Sequence, residues 1–498
     1  MQICLSMDHR EWSSLEEVIR LFSDHLLREG DSVLFEIPGA DGRYEIRSSL
    51  SRPFSSRDAR DSFSEAKLLT KTEVEGGPSC QAEVAPKAVR KELKRQLYIL
   101  LSSLSGMNWP WGSLTGIRPT QPAMELLERL DGNVLKAEEE LVSFWKLSPQ
   151  KAKLALKTAA AERQVLDQIE HSDYMVYAGV PFCPGRCSYC SFISRDAGRY
   201  RDTLPEYARA LAYEAERFFS ACHQKVSAFY LGGGTPTSLE SRDFAYVLEK
   251  LLTAMPLCDE AELTVEAGRP DTISREKLQI MKSLGIQRIC INPQSFRAET
   301  LTLLGRRHSP DDIRACFHEA REMGFDNINM DLIAGLPGET PEDFLYSLGE
   351  CFKLEPESIT LHTLALKRSA RLQENEKDRW LALRYPDPQL SSAMQLAQDL
   401  LEDEGYTPYY LYRQKNVRGG LENVGYTRTQ SPCKYNVGMM SDEISVIGLG
   451  SGSSSKRVFG RRVERCHNTK DIKDYVERIE ELAQRKIQFF RAIGSEAE

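Results

Sequence analysis

Three cysteines fall within one short stretch, GVPFCPGRCSYCSF: Cys183, Cys187 and Cys190. Their spacing, C-x3-C-x2-C, puts three thiolates on a single turn, where they can hold a metal centre at three corners. An iron–sulfur cluster with one iron free of protein ligands suits this donor set. A structural zinc is the alternative. It needs four ligands in closed pairs, and no fourth Cys or His is near in sequence, although Cys222 and His223 beyond a long helix could supply one. The nine other cysteines are scattered singly and read as small buried hydrophobes. The opening MQICLSMDHREWSSLEE has no basic n-region followed by an apolar h-region, so no secretory signal is expected. The thiols are then expected in a reducing cytoplasm.

A second set of residues sits at the ends of apolar runs. Gly232, Gly233 and Gly234, followed by Thr235, lack side chains that would keep a ligand from the backbone. Glu266, Gln294 and Asp331 each interrupt or end an apolar run, and a lone polar group there is costly to bury without partners. Three at equivalent depths suggest one polar pocket. Tyr177, six residues before the first cysteine, is placed to stack beside the same centre.

The elements that carry these residues follow a regular alternation. Residues 174–182, 227–234, 262–268, 288–295, 327–335 and 358–366 are β-branched or aromatic runs, separated by five segments of helical spacing. Six strands and five crossover helices imply a parallel sheet with right-handed connections and a ligand at its carboxyl edge. The expected fold class is α/β: a (βα)6 partial barrel over residues 170–370, with a full eight-stranded barrel as the structural alternative. Residues 1–165 read as an N-terminal α+β extension. In it, 15–27 is expected to be helical and 32–37 to form a hairpin with 43–50, while 51–64 and 75–86 are expected to be loops. A helix-rich part follows, broken at 107–122, where Trp109 and Trp111 pack a loop onto the core or, with Arg118, line a pocket. Residues 371–498 read as a mostly helical C-terminal domain.

Composition sets outer limits. The 498 residues carry a formal net charge of −8, a poor match to bulk nucleic acid or an anionic membrane surface. No apolar run reaches the length of a membrane-spanning helix.

The cysteine motif after the first strand of such a sheet resembles that of the radical S-adenosylmethionine enzymes. In that superfamily the open iron of a [4Fe–4S] cluster chelates S-adenosylmethionine, and reduction cleaves the sulfonium to a 5′-deoxyadenosyl radical. Within it, YAGVPFCPGRCSYCSF, LGGGTPT, VEAGRP, NPQSF, LLGRRHS and MDLIAGLPGETPEDF together resemble the oxygen-independent coproporphyrinogen III oxidases (coproporphyrinogen dehydrogenases). PWGSLTGIRPT, HTLALKR and YYLYRQKN are similar to the extended bacterial branch of that family. The resemblance implies a cluster on Cys183, Cys187 and Cys190. It implies cofactor contacts from Tyr177, Tyr189, Gly232, Gly233, Gly234, Thr235, Glu266, Gln294, Arg306, Asp331 and Ala365, serving one or two molecules of S-adenosylmethionine.

It also implies oxidative decarboxylation of coproporphyrinogen III to protoporphyrinogen IX, with an electron donor and an acceptor yet to be identified. Arg307, Lys367, Arg368, Arg413 and Lys415 are candidates for the substrate carboxylates. Phe192 stands where the decarboxylases have a fourth cysteine, a version found in haem chaperones of the same branch. Those chaperones carry an HN-x2-YW haem motif. Here the matching stretch is CKYNVGMM, with Tyr435 in place of the histidine, and Ser454 replaces an apolar cofactor contact. A haem chaperone or tetrapyrrole-binding protein, and a radical enzyme acting on another carboxylated substrate, are the alternatives.

Overall fold

The computed structural model describes all residues except 39–40, 52–66, 191–193, 366–382, 429–431, 461 and 492–498. The expected loop at 51–64 falls almost wholly outside the described residues, as do Phe192, Lys367 and Arg368. The chain forms two compact units. One comprises Met1–Leu156, Glu376–Ser391 and Arg413–Leu421; the other comprises Lys157–Asn375, Ser392–Tyr412 and Glu422–Glu498.

In the first unit, strands β1 (Gln2–Met7), β2 (Leu26–Glu29), β3 (Ser32–Glu36), β4 (Arg43–Ser51), β5 (Leu68–Val74) and β6 (Ser79–Val84) form one sheet in the order β2-β3-β1-β4-β5-β6. The expected hairpin is corrected: β3 and β4 are both strands, but β1 lies between them, antiparallel to β3 and parallel to β4. The reason is burial. β1 alternates so that Ile3, Leu5 and Met7 all face the core, and an inner position serves that pattern better than an edge. Residues 79–84, expected as loop, form the polar edge strand β6 against β5. The first helix is Trp12–Phe22 and stops at extended Ser23, so Leu26 and Leu27 belong to β2. Trp109 and Trp111 are buried, as a loop packed on the core requires.

The second unit carries β7 (Tyr174–Val180), β8 (Phe182–Cys183), β9 (Arg195–Asp196), β10 (Val226–Gly233), β11 (Leu257–Gly268), β12 (Arg288–Ile291), β13 (Ile328–Ala334) and β14 (Ser358–Thr363). It continues with β15 (Thr407–Tyr412), β16 (Asn423–Thr427), β17 (Ser445–Leu449), β18 (Ser454–Phe459) and β19 (Arg462–His467). β7 and β10 to β14 are parallel neighbours in chain order, the expected six. The helices Leu204–Phe219, Ser241–Ala254, Arg275–Ser283, Pro310–Glu322 and Pro341–Leu354 connect them. Two of these helices open with complete capping boxes, Ser309 with Asp312 and Thr340 with Asp343, which fix where β12 and β13 hand over to helix.

The sheet does not close on eight strands. It opens into eleven, in the order β15-β16-β14-β13-β12-β11-β10-β7-β17-β18-β19, with β17 parallel to β7 and the outermost strands antiparallel. Beyond residue 387 these added strands alternate with the helices Pro388–Asp403, Lys434–Met440, Ile472–Glu477 and Ile479–Arg491.

Candidate functional site

All six core strands end at one edge of the sheet, and the cysteine loop leaves the first of them. Two short β-bridging residues, Phe182 and Cys183, pair with Arg195 and Asp196 and close the loop at its base. Within it the Cys190 N–H donates to the Cys187 carbonyl at 3.1 Å. Cys187 is buried, and Cys183 and Cys190 are half-buried.

Each neighbouring strand end ties this loop down. After β10, the Gly234 and Thr235 N–H groups donate to the Val180 and Phe182 carbonyls at 2.8 and 2.7 Å. The Thr235 hydroxyl donates to Cys183 Sγ at 3.5 Å. After β11, Arg269 Nη1 donates to the Gly185 carbonyl at 3.2 Å and reaches Cys187 Sγ at 3.9 Å. After β12, Arg306 donates to the Asn292 carbonyl at 2.6 Å and to the Tyr189 hydroxyl at 3.3 Å. The Ser188 N–H donates to the Leu304 carbonyl. Burial pushes the Cys183 thiol up, while Thr235 and Arg269 pull against it. Burial also pushes the Tyr189 phenol up, opposed by Arg306.

The glycine run is a cradle in the strict sense. A Cβ at Gly234 would lie 2.5 Å from the Phe182 carbonyl oxygen, and one at Gly232 would lie 3.0 Å from the Glu266 carboxylate. Glu266 accepts from the Tyr230 hydroxyl at 2.6 Å and from the Gly233 N–H at 3.3 Å. Burial nevertheless pushes its carboxyl up to about 7, with nearby Asp331 adding to the rise. Asp331 is the opposite case. Burial raises it, but His362, Asn329 and Thr360 outweigh that and hold it below the usual carboxylate range. His362 Nε2 lies 3.7 Å from Asp331, and its Nδ1 is 3.3 Å from Asn423. The imidazole gains proton affinity against the cost of burial.

Gln294 adopts φ +68°, a conformation non-glycine residues rarely take, and both its backbone groups bond to β13, at Asp331 and Ile333. Backbone strain of this kind, fixed by the surroundings, clusters at functional sites. Ala365, just past β14, is half-buried.

Beneath this edge lies a tyrosine stack. Tyr177 sits nearly parallel to Tyr230 and Tyr435, with ring centroids at 6.4 and 6.1 Å, and Tyr230 and Tyr435 are 4.7 Å apart. Burial pushes the Tyr177 phenol up.

The residues fit an iron–sulfur cluster and its sulfonium ligand. Three thiols share one anchored loop, cationic and hydroxyl donors approach two of them, and a side-chain-free backbone runs beside them. No three His, Cys, Asp or Glu side chains among the described residues converge as a single ion requires, whereas a cluster takes each thiolate on a separate iron. Cys222 cannot complete a zinc site here. It influences Tyr174, at the start of β7, a strand length from the cysteine loop.

Of the candidate carboxylate ligands, Arg413 is corrected: its guanidinium is buried over Trp111 and donates to the Leu114 and Gly420 carbonyls. Arg307 is exposed and lines an outer groove with Pro270, His308 and the helix Pro310–Glu322. Lys415 is exposed. Sequence reasoning missed Tyr230, Arg269, Asp271, His308 and His362. β10 and β14 are buried on both faces, so no alternation marks Tyr230 or His362; the other three sit on turns, where no period applies.

Residues 177–350 match the model of the radical S-adenosylmethionine superfamily. The chain is 36% identical over 430 residues to the oxygen-independent coproporphyrinogen-III oxidase-like protein HemZ of Bacillus subtilis, covering 84% of each chain. It is 28% identical over 310 residues to the haem chaperone HemW of the same organism, covering 61% of this chain and 76% of that one. Coproporphyrinogen III oxidase of Escherichia coli, a solved structure, matches 65% of this chain and 73% of its own with a TM-score of 0.48 and 23% identity. Among the described residues no helix is long and apolar enough to cross a membrane.

Proposed function

Because the chain belongs to the oxygen-independent coproporphyrinogen III oxidase-like family of the radical S-adenosylmethionine superfamily, we propose that it catalyses the oxidative decarboxylation of coproporphyrinogen III. The observation that carries this reading is the anchored cysteine loop facing the glycine cradle and Glu266 at one sheet edge. When bound, the cluster supplies the electron that cleaves S-adenosylmethionine.

The chain's own residues then have separable tasks. Cys183, Cys187 and Cys190 hold the irons. The backbone of Gly232, Gly233 and Gly234, with Thr235, accepts the cofactor's amino group at close range. Glu266, Gln294, Arg306 and Asp331 take its ribose, carboxylate and amino groups, and Tyr177, Tyr189 and Ala365 pack against it. On the substrate, each turn would transfer one propionate β-hydrogen to the 5′-deoxyadenosyl group, release CO2 and pass one electron to an external acceptor, leaving a vinyl group; two turns would give protoporphyrinogen IX. The stacked rings of Tyr177, Tyr230 and Tyr435 would help keep water from that chemistry.

The similarity to haem chaperones favours a second reading, haem binding without decarboxylation. Against it, the stretch matching the chaperone motif is inside the fold. Cys433 is fully buried with its thiol on Glu262, and Tyr435 lies in the tyrosine stack.

One experiment separates the readings. Anaerobically reconstituted protein is given reductant, S-adenosylmethionine and coproporphyrinogen III, and products are read by mass spectrometry. Loss of CO2 with 5′-deoxyadenosine release, both abolished in Cys187→Ala, is expected. Stoichiometric haem uptake with no decarboxylated product would assign the chaperone role instead.

A further inference from the structure

Arg269 is not among the residues assigned above to the cofactor, yet its guanidinium reaches the sulfur of Cys187, a sulfur it shares with Arg306. It follows Gly268, whose φ of +75° turns the chain out of β11, and it is 4% exposed. Its guanidinium is fully engaged. Nε and Nη2 form a fork with the two oxygens of Asp271 at 2.9 and 2.8 Å. Nη1 divides between the Gly185 carbonyl and Cys187 Sγ. Asp271 is backed in turn by His308, 3.5 Å away, whose side chain is 1% exposed. Burial raises the Asp271 carboxyl, but His308 and Arg269 overcome this and keep it ionised far below the usual range.

Such a line, His308 to Asp271 to Arg269 to Cys187, has a defined physical effect. The planar fork fixes the guanidinium rotationally, so its remaining edge has one direction to point, and that direction is the sulfur. Arginine cannot lose its charge at that position. Reduction of an iron–sulfur cluster adds one negative charge, and hydrogen bonds and positive charge at the ligand sulfurs favour the reduced state. Gly185 lies between Cys183 and Cys187, so the same guanidinium also fixes the shape of the loop.

We propose that Arg269, oriented by Asp271 and His308, is a positioning residue that holds the cysteine loop and raises the reduction potential of the cluster through Cys187. The proposal rests on the reading that Cys183, Cys187 and Cys190 carry a [4Fe–4S] cluster.

The test uses full-length protein reconstituted anaerobically as wild type, Arg269→Gln, Arg269→Lys and Asp271→Asn. Iron and sulfide per chain are measured first, then the midpoint potential by redox titration followed by electron paramagnetic resonance. Arg269→Gln is expected to lower the reduced-to-oxidised ratio at the wild-type midpoint about tenfold, 59 mV for one electron. Arg269→Lys should recover most of that shift, because charge remains near the sulfur. Asp271→Asn should lower the midpoint in the same direction but by less, because the guanidinium keeps its charge and loses the fork that aims it at the sulfur. Arg269→Gln with full iron and sulfide and an unchanged midpoint overturns the proposal. If Arg269→Gln holds no cluster, an unchanged midpoint in Asp271→Asn does the same. Wild-type protein that binds no iron or sulfide refutes the reading of the cysteines, and the proposal with it; that failure shows in the first measurement, before any variant is compared.

Discussion

Glu266 shows how a single carboxyl is set by what surrounds it. It has a hydroxyl donor and a backbone donor, both favouring the anion, yet burial and Asp331 drive it up to about 7 from 4.5. Folding therefore takes up a proton between those values. The stability tied to this carboxyl is fully present below pH 4.5 and is lost as pH rises through about 7. Glu266→Gln, which mimics the neutral form, is expected to exceed wild type at about pH 8 by on the order of 3 kcal/mol. Near pH 4.5 the two should be alike. Thermal unfolding of the cofactor-free protein at both pH values checks this, and an equal difference at both would remove burial of the anion as the cause. Glu266, Gln294 and Asp331 were legible in the sequence because each is a polar residue in an apolar run. Arg269 was not. A charged residue beside a proline in a turn looks like any solvated surface residue until the tertiary structure brings it to Cys187.

Elements were legible where a period ran long enough to be counted. The six parallel strands and five crossover helices follow from short β-branched and aromatic runs alternating with segments of a period of about 3.6, closed by caps such as Thr340 with Asp343. The N-terminal sheet was less legible, because nothing in residues 32–50 reveals that Gln2–Met7 will insert between two strands adjacent in sequence. Fully buried Glu214 was invisible for a similar reason. It accepts from the Gly450 N–H at 2.8 Å, Asn468 at 2.8 Å and the Tyr475 hydroxyl at 2.7 Å, and it pairs with buried Lys486. This centre joins the helices Leu204–Phe219 and Ile479–Arg491 to the loop after β17. Glu214→Leu would leave the Lys486 ammonium buried without its partner, at a cost of about 3–5 kcal/mol. Tyr475→Phe loses one hydrogen bond, about 1 kcal/mol. Urea unfolding midpoints should rank the variants in that order; equal losses would mean that the charge is not what holds these helices.

At the scale of the molecule, three separate stretches of chain build the first unit. Tyr385 packs on Trp109 with ring centroids 6.4 Å apart, Arg384 pairs with Asp24 at 2.8 Å, and Leu421 is fully buried. A fragment of residues 157–498 would carry two of those stretches without the rest of their core. It is expected to associate in gel filtration, whereas the full chain should elute as a discrete species; a monodisperse, cooperatively unfolding fragment would contradict this. The pairing of β7 with β17 has a consequence for biosynthesis. The strand leading into Cys183 finds its second neighbour only after about 265 further residues. At ordinary translation rates that leaves an open hydrogen-bonding edge for roughly fifteen seconds to a minute. High contact order of this kind slows folding and exposes the nascent chain to misassociation. Metal delivery to the thiols is therefore expected to be a post-translational event, completed after the C-terminal strands have left the ribosome.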